Sequence, residues 1–262
     1  EIPVAKKDKV IIVGAGIGGL ASSLRLSHLG YDVQVIEKAD NAGGKLRTIA
    51  GSTGEIDIGP TVLTLLPIFQ KLFKSVGEDI FEHIDLVRQK IIARHWWPDG
   101  TSLDLYDDFE TSRDAIMRFS GSTSAREFEK YFCDTRDLFS CFDLPVMQNP
   151  SPSILDMNRA VLSNPKILSK MHPLRTLSSL LNYKFRDKRL QQLFGRYATY
   201  VGGSPLESPA LLSLIWQAEA QGVWSIKGGM KKLARVIEKL AKDRGASFSY
   251  GTTIKEFNTK GD

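Results

Sequence analysis

Apolar and polar positions change rhythm several times along this chain, and each change marks an element. Val10–Val13 (VIIV) is a short unbroken β-branched run, the pattern of a buried parallel strand. From Gly19 to Gly30 the apolar positions Leu20, Leu24, Leu26 and Leu29 predict a helix, and Gly30 suits its C-terminal cap. Tyr31–Ile36 (YDVQVI) alternates and predicts a second strand. Strand, helix and strand in this order predict an α/β fold that opens with a Rossmann-like unit.

Later segments change the rhythm again. Residues 84–106 read as β structure around Pro98-Asp99-Gly100, where proline presets φ and glycine accepts a positive one. Trp96 and Trp97 there either line an apolar path or pack the hairpin onto a core. Residues 111–142 read as mixed helices with polar faces. Ser208 before Pro209 reads as the N-cap of a further helix. Residues 231–243 predict an amphipathic helix with Leu233, Val236, Ile237 and Leu240 on its stripe, ended by Gly245. Residues 248–251 and 252–257 read as strand pieces.

The glycines after the first strand carry the first chemistry. Gly14, Gly16 and Gly19 give G-x-G-x-x-G. In that pattern the first glycine makes the tight turn. The second lets the backbone approach a pyrophosphate, and the third lets the helix pack on the strand. Glu37 ends the second strand, 18 residues past Gly19. A carboxylate there accepts hydrogen bonds from a ribose 2′-hydroxyl and repels a 2′-phosphate. Gly43-Gly44-Lys45-Leu46-Arg47 follows, with bare backbone beside Lys45 and Arg47, which can face phosphate charge. Asp57-Ile58-Gly59-Pro60-Thr61 is another loop with glycine at a point of close approach. Dinucleotide binding is the expectation, with FAD and NAD as the alternatives.

Composition adds limits. The chain has 262 residues and 42% hydrophobic content, enough for a sizeable core. Its net charge of +5 points to an anionic partner. Cys133 and Cys141 lack metal-type spacing and suit one face of a helix, and the four histidines are scattered, so no metal site is expected. Lys6, Lys7 and Lys9 ahead of an apolar run imitate a signal peptide, but glycines at structured positions and the second strand argue against one. No stretch reaches the roughly 18 apolar residues of a bilayer span.

Residues 159–196 are the most unusual tract. Arg159, Lys166, Lys170, Arg175, Lys184, Arg186, Lys188, Arg189 and Arg196 face a single acid, Asp187. Leucines, Ile167, Phe185 and Phe194 are interleaved at roughly helical spacing. An interfacial surface on an anionic membrane is favoured over solvated helix faces, and nucleic acid is not expected as a partner. Binding to anionic vesicles with release by salt is the corresponding expectation.

The order GxGxxG, Glu37, GGKLR and DIGPT resembles the flavin-containing amine-oxidase-like superfamily, and within it the bacterial carotenoid desaturases related to phytoene desaturase. The run GRYATYVGGSP…SPALLSLIWQAEAQGVW is similar to the branch that acts on hydroxylated or methoxylated carotenoids. The resemblance covers nearly the whole chain. It implies FAD, with Gly43, Gly44, Lys45, Arg47, Gly59, Pro60 and Thr61 beside the flavin. It also implies that Lys227-Gly228-Gly229-Met230 brings the chain back to the cofactor domain, with Ile254 by the adenine. The implied fold is an FAD-binding domain of residues 1–80 and 223–262, interrupted by an α+β substrate or membrane domain of residues 81–222. Relatives run to about twice this length, so the C-terminal part of the fold is expected to be missing.

The implied reaction is desaturation of an acyclic carotenoid, by hydride transfer from an allylic carbon to flavin N5 and then proton loss. Glu219, Glu207 and Asp104 are candidate bases with no preference among them, and the electron acceptor is not readable. The expected location is cytoplasmic, peripheral at the inner membrane. The alternatives are another flavoenzyme (a phytoene desaturase, a protoporphyrinogen oxidase or an amine oxidase) and a non-catalytic membrane-binding module.

Overall fold

In the computed structural model, which describes residues 8–149 and 151–256, the chain forms two units. Unit 1 takes the chain up to Arg88 and again from Trp224, and unit 2 is Gln89–Val223. Lys6 and Lys7 lie outside the described residues.

Unit 1 begins as its pattern predicts. Strand β1 (Lys9–Val13) runs into helix α1 (Ile17–His28) and back to β2 (Asp32–Ile36), which pairs parallel to β1. Gly30 holds φ +92° and its amide bonds the Ser27 carbonyl, closing α1. The helix buries Leu20 and Leu24 together with Ser23 and Ser27. The two serine hydroxyls donate back to the Leu20 and Leu24 carbonyls, so no buried donor is wasted. A hairpin of β3 (Thr48–Gly51) and β4 (Gly54–Asp57) follows, then α2 (Leu66–Lys74), α3 (Ile80–His83) and β5 (Leu86–Arg88).

Unit 2 opens with the expected hairpin. Strands β6 (Ile91–Trp96) and β7 (Ser102–Tyr106) pair antiparallel, and Gly100 takes φ +81° in the turn. Asp99 secures it by accepting from the Thr101 amide at 2.9 Å. Of the two tryptophans, Trp97 packs on Phe119, with ring centroids 5.1 Å apart, and donates to Gln192, whereas Trp96 is exposed. Trp97 therefore takes the packing role.

A long helix, α4 (Phe109–Phe142), starts at an Asp108 cap and is kinked at Gly121, φ +87°. Cys133 and Cys141 both lie on it, as free thiols. The basic tract folds as α5 (Ile154–Ser163), α6 (Lys166–Met171), α7 (Leu177–Lys184) and α8 (Lys188–Gly195). Ser153, Thr176 and Asp187 cap α5, α7 and α8. The expected helix at Pro209 is instead a 3₁₀ turn, Ala210–Ile215, followed by α9 (Trp216–Ala220). Ser208 does not cap it: the turn begins one residue later, with Pro209 at the N-cap and no side-chain cap. The core of unit 2 is aromatic: Phe128, Tyr131, Phe185, Phe194, Tyr197 and Trp216 are all buried. Tyr131 and Phe194 lie 4.8 Å apart between centroids.

The chain re-enters unit 1 at β8 (Trp224–Ile226), which pairs antiparallel with β5. This pairing carries the first segment to Arg88 rather than to residue 80. Helix α10 (Lys231–Lys242) buries Leu233, Ala234, Ile237 and Leu240, and β9 (Ser247–Ser249) joins β2 in parallel. The sheet order is β1-β2-β9. Contrary to the expectation of a fully buried first strand, Ile11 and Val13 are exposed. They alternate with half-buried Val10 and Ile12 on an edge strand, so only one face is covered. Residues 252–256 form no strand, and residues 257–262 lie outside the described ones.

Candidate dinucleotide site

Three loops of unit 1 meet at the end of β1. Gly14 takes φ +95° and its amide donates to the Ile36 carbonyl at 2.8 Å, which turns the chain sharply across β2. A Cβ on Gly19 would collide with the Gly14 carbonyl, so this glycine sets how closely α1 meets the strand. Gly16 differs: a Cβ there meets nothing nearer than the Gly44 Cα at 4.0 Å. No side chain caps α1 and its first turn carries no acid, so its leading amides are open to an anion.

The Gly43-Gly44 pair lies against this loop. Gly43 bridges Gly16 in parallel, and its amide donates to the Ala15 carbonyl at 2.8 Å. A Cβ on Gly44 would sit 2.9 Å from the Gly16 Cα. The pair thus seats one loop on the other and leaves Lys45 exposed beside them.

Glu37 closes the arrangement. Its carboxylate accepts from the Ala15 amide at 2.6 Å and from the Ala39 amide at 2.8 Å. Burial pushes its pKa up, but those amides and the Lys38 charge outweigh it, and the group stays below the ordinary carboxylate range. A carboxylate has further lone pairs and can still accept from ribose hydroxyls.

A cleft of 530 Å³ opens next to these loops. Gly16, Gly43, Gly44, Lys45 and Pro60 of the expected set line it. Arg47 and Thr61 are exposed and do not line it. Gly59 acts through packing, because a Cβ would strike the Lys45 carbonyl. Ile254 is half-buried, two residues past Thr252, whose amide bonds the Glu37 carbonyl.

Residues that sequence reasoning missed complete the wall: Val62, Leu63, Phe69, Met230 and Leu233. Asp57 was read only as part of its loop. Its Oδ2 accepts from the Met230 amide at 2.8 Å, while its Oδ1 is buried without a partner among the described residues. A glycine-lined cradle, open helix amides, an orienting acid and an apolar slot are the donor set a dinucleotide needs, and the residues present fit it.

Other candidates sort differently. Asp104 is held by Arg94 at 2.6 Å, Glu207 is exposed, and Glu219 is buried in unit 2. Glu78, Glu82 and His83 bring ligand-type atoms within 4.8 Å of one another. Glu78 there is committed to Arg244 at 2.6 Å and to His83 at 2.8 Å. Among the described residues no helix is long and apolar enough to cross a membrane.

Comparison with known proteins supports the same architecture. The NAD(P)-binding Rossmann-like domain family matches residues 12–78. A hydroxyneurosporene desaturase of Cereibacter sphaeroides is 43% identical over 97% of this chain and 51% of its own. Another, from Rhodobacter capsulatus, is 41% identical over 96% of this chain and 51% of its own. In solved structures, a putrescine oxidase bound to putrescine superposes with a TM-score of 0.59 at 16% identity, over 95% of this chain and 51% of that one. That likeness establishes an amine-oxidase-like fold. Along nearly its whole length the chain is similar in sequence to hydroxyneurosporene desaturases, with a Rossmann-like NAD(P)-binding domain match in unit 1, and it spans about half their length.

Proposed function

We propose that this chain forms the cofactor-binding part of an FAD-dependent desaturase acting on a hydroxylated or methoxylated acyclic carotenoid. The observation that carries the reading is the Gly16–Gly44 cradle with Glu37 tied to the Ala15 amide, in a chain 43% identical to a hydroxyneurosporene desaturase. When bound, FAD supplies the acceptor for the hydride that a polyene carbon loses. The chain's own residues bind and orient. The amides at the start of α1 would face the pyrophosphate, and Glu37 would accept from the ribose. Lys45 adds positive charge at the rim. Val62, Leu63, Phe69 and Leu233 give the cleft an apolar wall that excludes water from a hydrocarbon.

The test is direct. Full-length protein is purified and denatured, and the released cofactor is identified by chromatography and absorbance. About one FAD per chain supports the reading, followed by turnover of a hydroxycarotenoid. No flavin after reconstitution with excess FAD overturns it, and oxidation of an amine instead would favour an amine oxidase.

Peripheral membrane contact at the cytoplasmic face of the inner membrane belongs to the same proposal. Exposed apolar surface supports it more than charge does. Lys170, Lys184, Arg186, Arg189 and Arg196 are ion-paired, chiefly to acids on other elements, which neutralises much of the tract. Leu155, Leu162, Leu168 and Leu174 are exposed on α5, α6 and the loop after it. Such side chains enter a bilayer edge with little need of anionic lipid. Vesicle sedimentation should show binding to neutral as well as anionic lipid, weakened only partly by salt. No binding to either would remove membrane contact from the proposal.

A further inference from the structure

A single carboxylate joins two distant segments that wall the cofactor cleft. Asp57 closes β4, and the hairpin fixes where it stands. Thr48 pairs across from it, the Ile58 amide donates to the Arg47 carbonyl at 2.9 Å, and a Cβ on Gly59 would strike the Lys45 carbonyl. Asp57 Oδ2 accepts from the Met230 amide at 2.8 Å, across 173 residues of chain. Gly229 makes that approach feasible. It holds φ +86°, and a Cβ there would sit 2.9 Å from Oδ2 and 3.2 Å from Oδ1.

Met230 is the residue at which α10 starts. The leading amides of a helix have no partner within the helix itself. The Met230 side chain gives none, and the first turn carries Lys231 and Lys232 with no acid. Cations there oppose the positive end of the helix dipole. Asp57 brings, from another segment, both the acceptor and the negative charge that this end lacks.

The start of α10 stands behind the cofactor site. Met230 and Leu233 line the cleft. Ala234 backs the glycine pair: a Cβ on Gly43 would lie 3.7 Å from the Ala234 Cβ, and the Gly43 amide holds the Ala15 carbonyl. Pro60, Val62 and Leu63, soon after Asp57, line the same cleft. The Asp57–Met230 bond therefore sets the wall that follows β4 against the wall that α10 supplies.

We propose that Asp57 is a positioning residue for the cofactor: it caps α10 from a distant segment and so holds Met230, Leu233 and Gly43 where a bound FAD needs them. This rests on the FAD reading above and deepens it. Asp57 Oδ1 is buried with no partner among the described residues. An amide nitrogen in its place breaks no hydrogen bond, so asparagine is the conservative substitution.

The experiment measures FAD affinity of the full-length apo-protein by quenching of flavin fluorescence, for wild type, Asp57→Asn and Asp57→Ala. Each is assayed below its own melting temperature, where circular dichroism shows an intact fold. Asp57→Ala should weaken FAD about tenfold or more, the scale of losing a hydrogen bond to a charged group. Asp57→Asn keeps an acceptor for the Met230 amide and should stay within about threefold of wild type, the scale of a charge lost at a helix N-terminus. Unchanged affinity in Asp57→Ala overturns the inference. Asparagine as weak as alanine also overturns it, because the acceptor would then not be what matters. If Asp57→Ala does not fold, residue-resolved hydrogen exchange on wild type decides. The Met230 amide should exchange as slowly as the interior amides of α10, and fast exchange overturns the inference. A wild type that binds no FAD sinks the proposed function and this inference with it. Flavin binding left unimpaired by Asp57→Ala sinks the inference alone.

Discussion

The Glu37 carboxylate accepts a hydrogen bond from the Ala15 amide at 2.6 Å, tying the end of β2 to the middle of the glycine loop. The acid thus shapes the loop, and under the proposed function it would also face the ribose. Glu37→Ala should weaken FAD binding by about 1–3 kcal/mol, the cost of losing a charged hydrogen-bond partner. Titration calorimetry on the apo-protein reads this, and an unchanged Kd would remove Glu37 from the site. The pKa of Glu37 is lowered, so affinity should hold from neutral pH down to about 4, the ordinary carboxylate value, and fall only below it.

Gly16 and Gly19 should fail differently. A Cβ on Gly16 meets only the Gly44 Cα, at 4.0 Å, so Gly16→Val should abolish flavin binding and cost little melting temperature. A Cβ on Gly19 meets the Gly14 carbonyl, so Gly19→Ala should destabilise the fold by about 1–3 kcal/mol. Thermal melting and flavin content on the two variants separate these effects. Equal loss of both properties in both variants would contradict the assignment.

In unit 2, Lys184 reaches Asp134 at 2.6 Å, with side chains 8% and 16% exposed. Lys184→Met leaves Asp134 only Lys170, at 3.2 Å, and should cost about 3 kcal/mol. The double variant Lys184→Met, Asp134→Asn should recover much of that loss, because no charge is then left half-paired. Urea unfolding of wild type, Lys184→Met, Asp134→Asn and the double variant completes the cycle, and simple additivity would show that the two groups do not interact.

Asp187 gives a pH signature. Hydrogen bonds from Arg189, opposed by burial and joined by Ser120, lower its pKa to about 2. The unfolded value is about 3.9. A depressed folded pKa means stability that is present above pH 4 and lost as pH falls towards 2. Asp187→Asn should therefore flatten stability across that window, read as urea midpoints at several pH values. An unaltered slope would place the acid sensitivity elsewhere.

Legibility differed by element. β1, α1, β2 and α10 could be read because their apolar spacing is a local property, and Gly14, Gly16, Gly19 and Glu37 followed from their places in that order. Ser208 misled because the segment starts at Pro209 as a 3₁₀ turn rather than a helix, and Ser208 itself is tied into a bridge to Leu177 and Ser204 that no local pattern encodes. The pairing of the basic tract was equally invisible in the sequence. Its cations meet Asp134, Asp137, Glu127 and Glu219, all on elements outside it. Nothing in the spacing of Trp96 and Trp97 told which would face Phe119, since alternation assigns faces but does not say which face is covered.

The sequence by itself determined the Rossmann-like opening, the acid at the end of its second strand and the resemblance to carotenoid desaturases. Each is carried by residues close together along the chain or by a long specific run. Only the tertiary structure decided that Gly44 must be glycine because Gly16 lies against it, and that Asp57 holds the Met230 amide 173 residues away. Those relations depend on how separate segments share one core. Packing between distant segments is set by the sum of many contacts, and no short stretch of sequence records it.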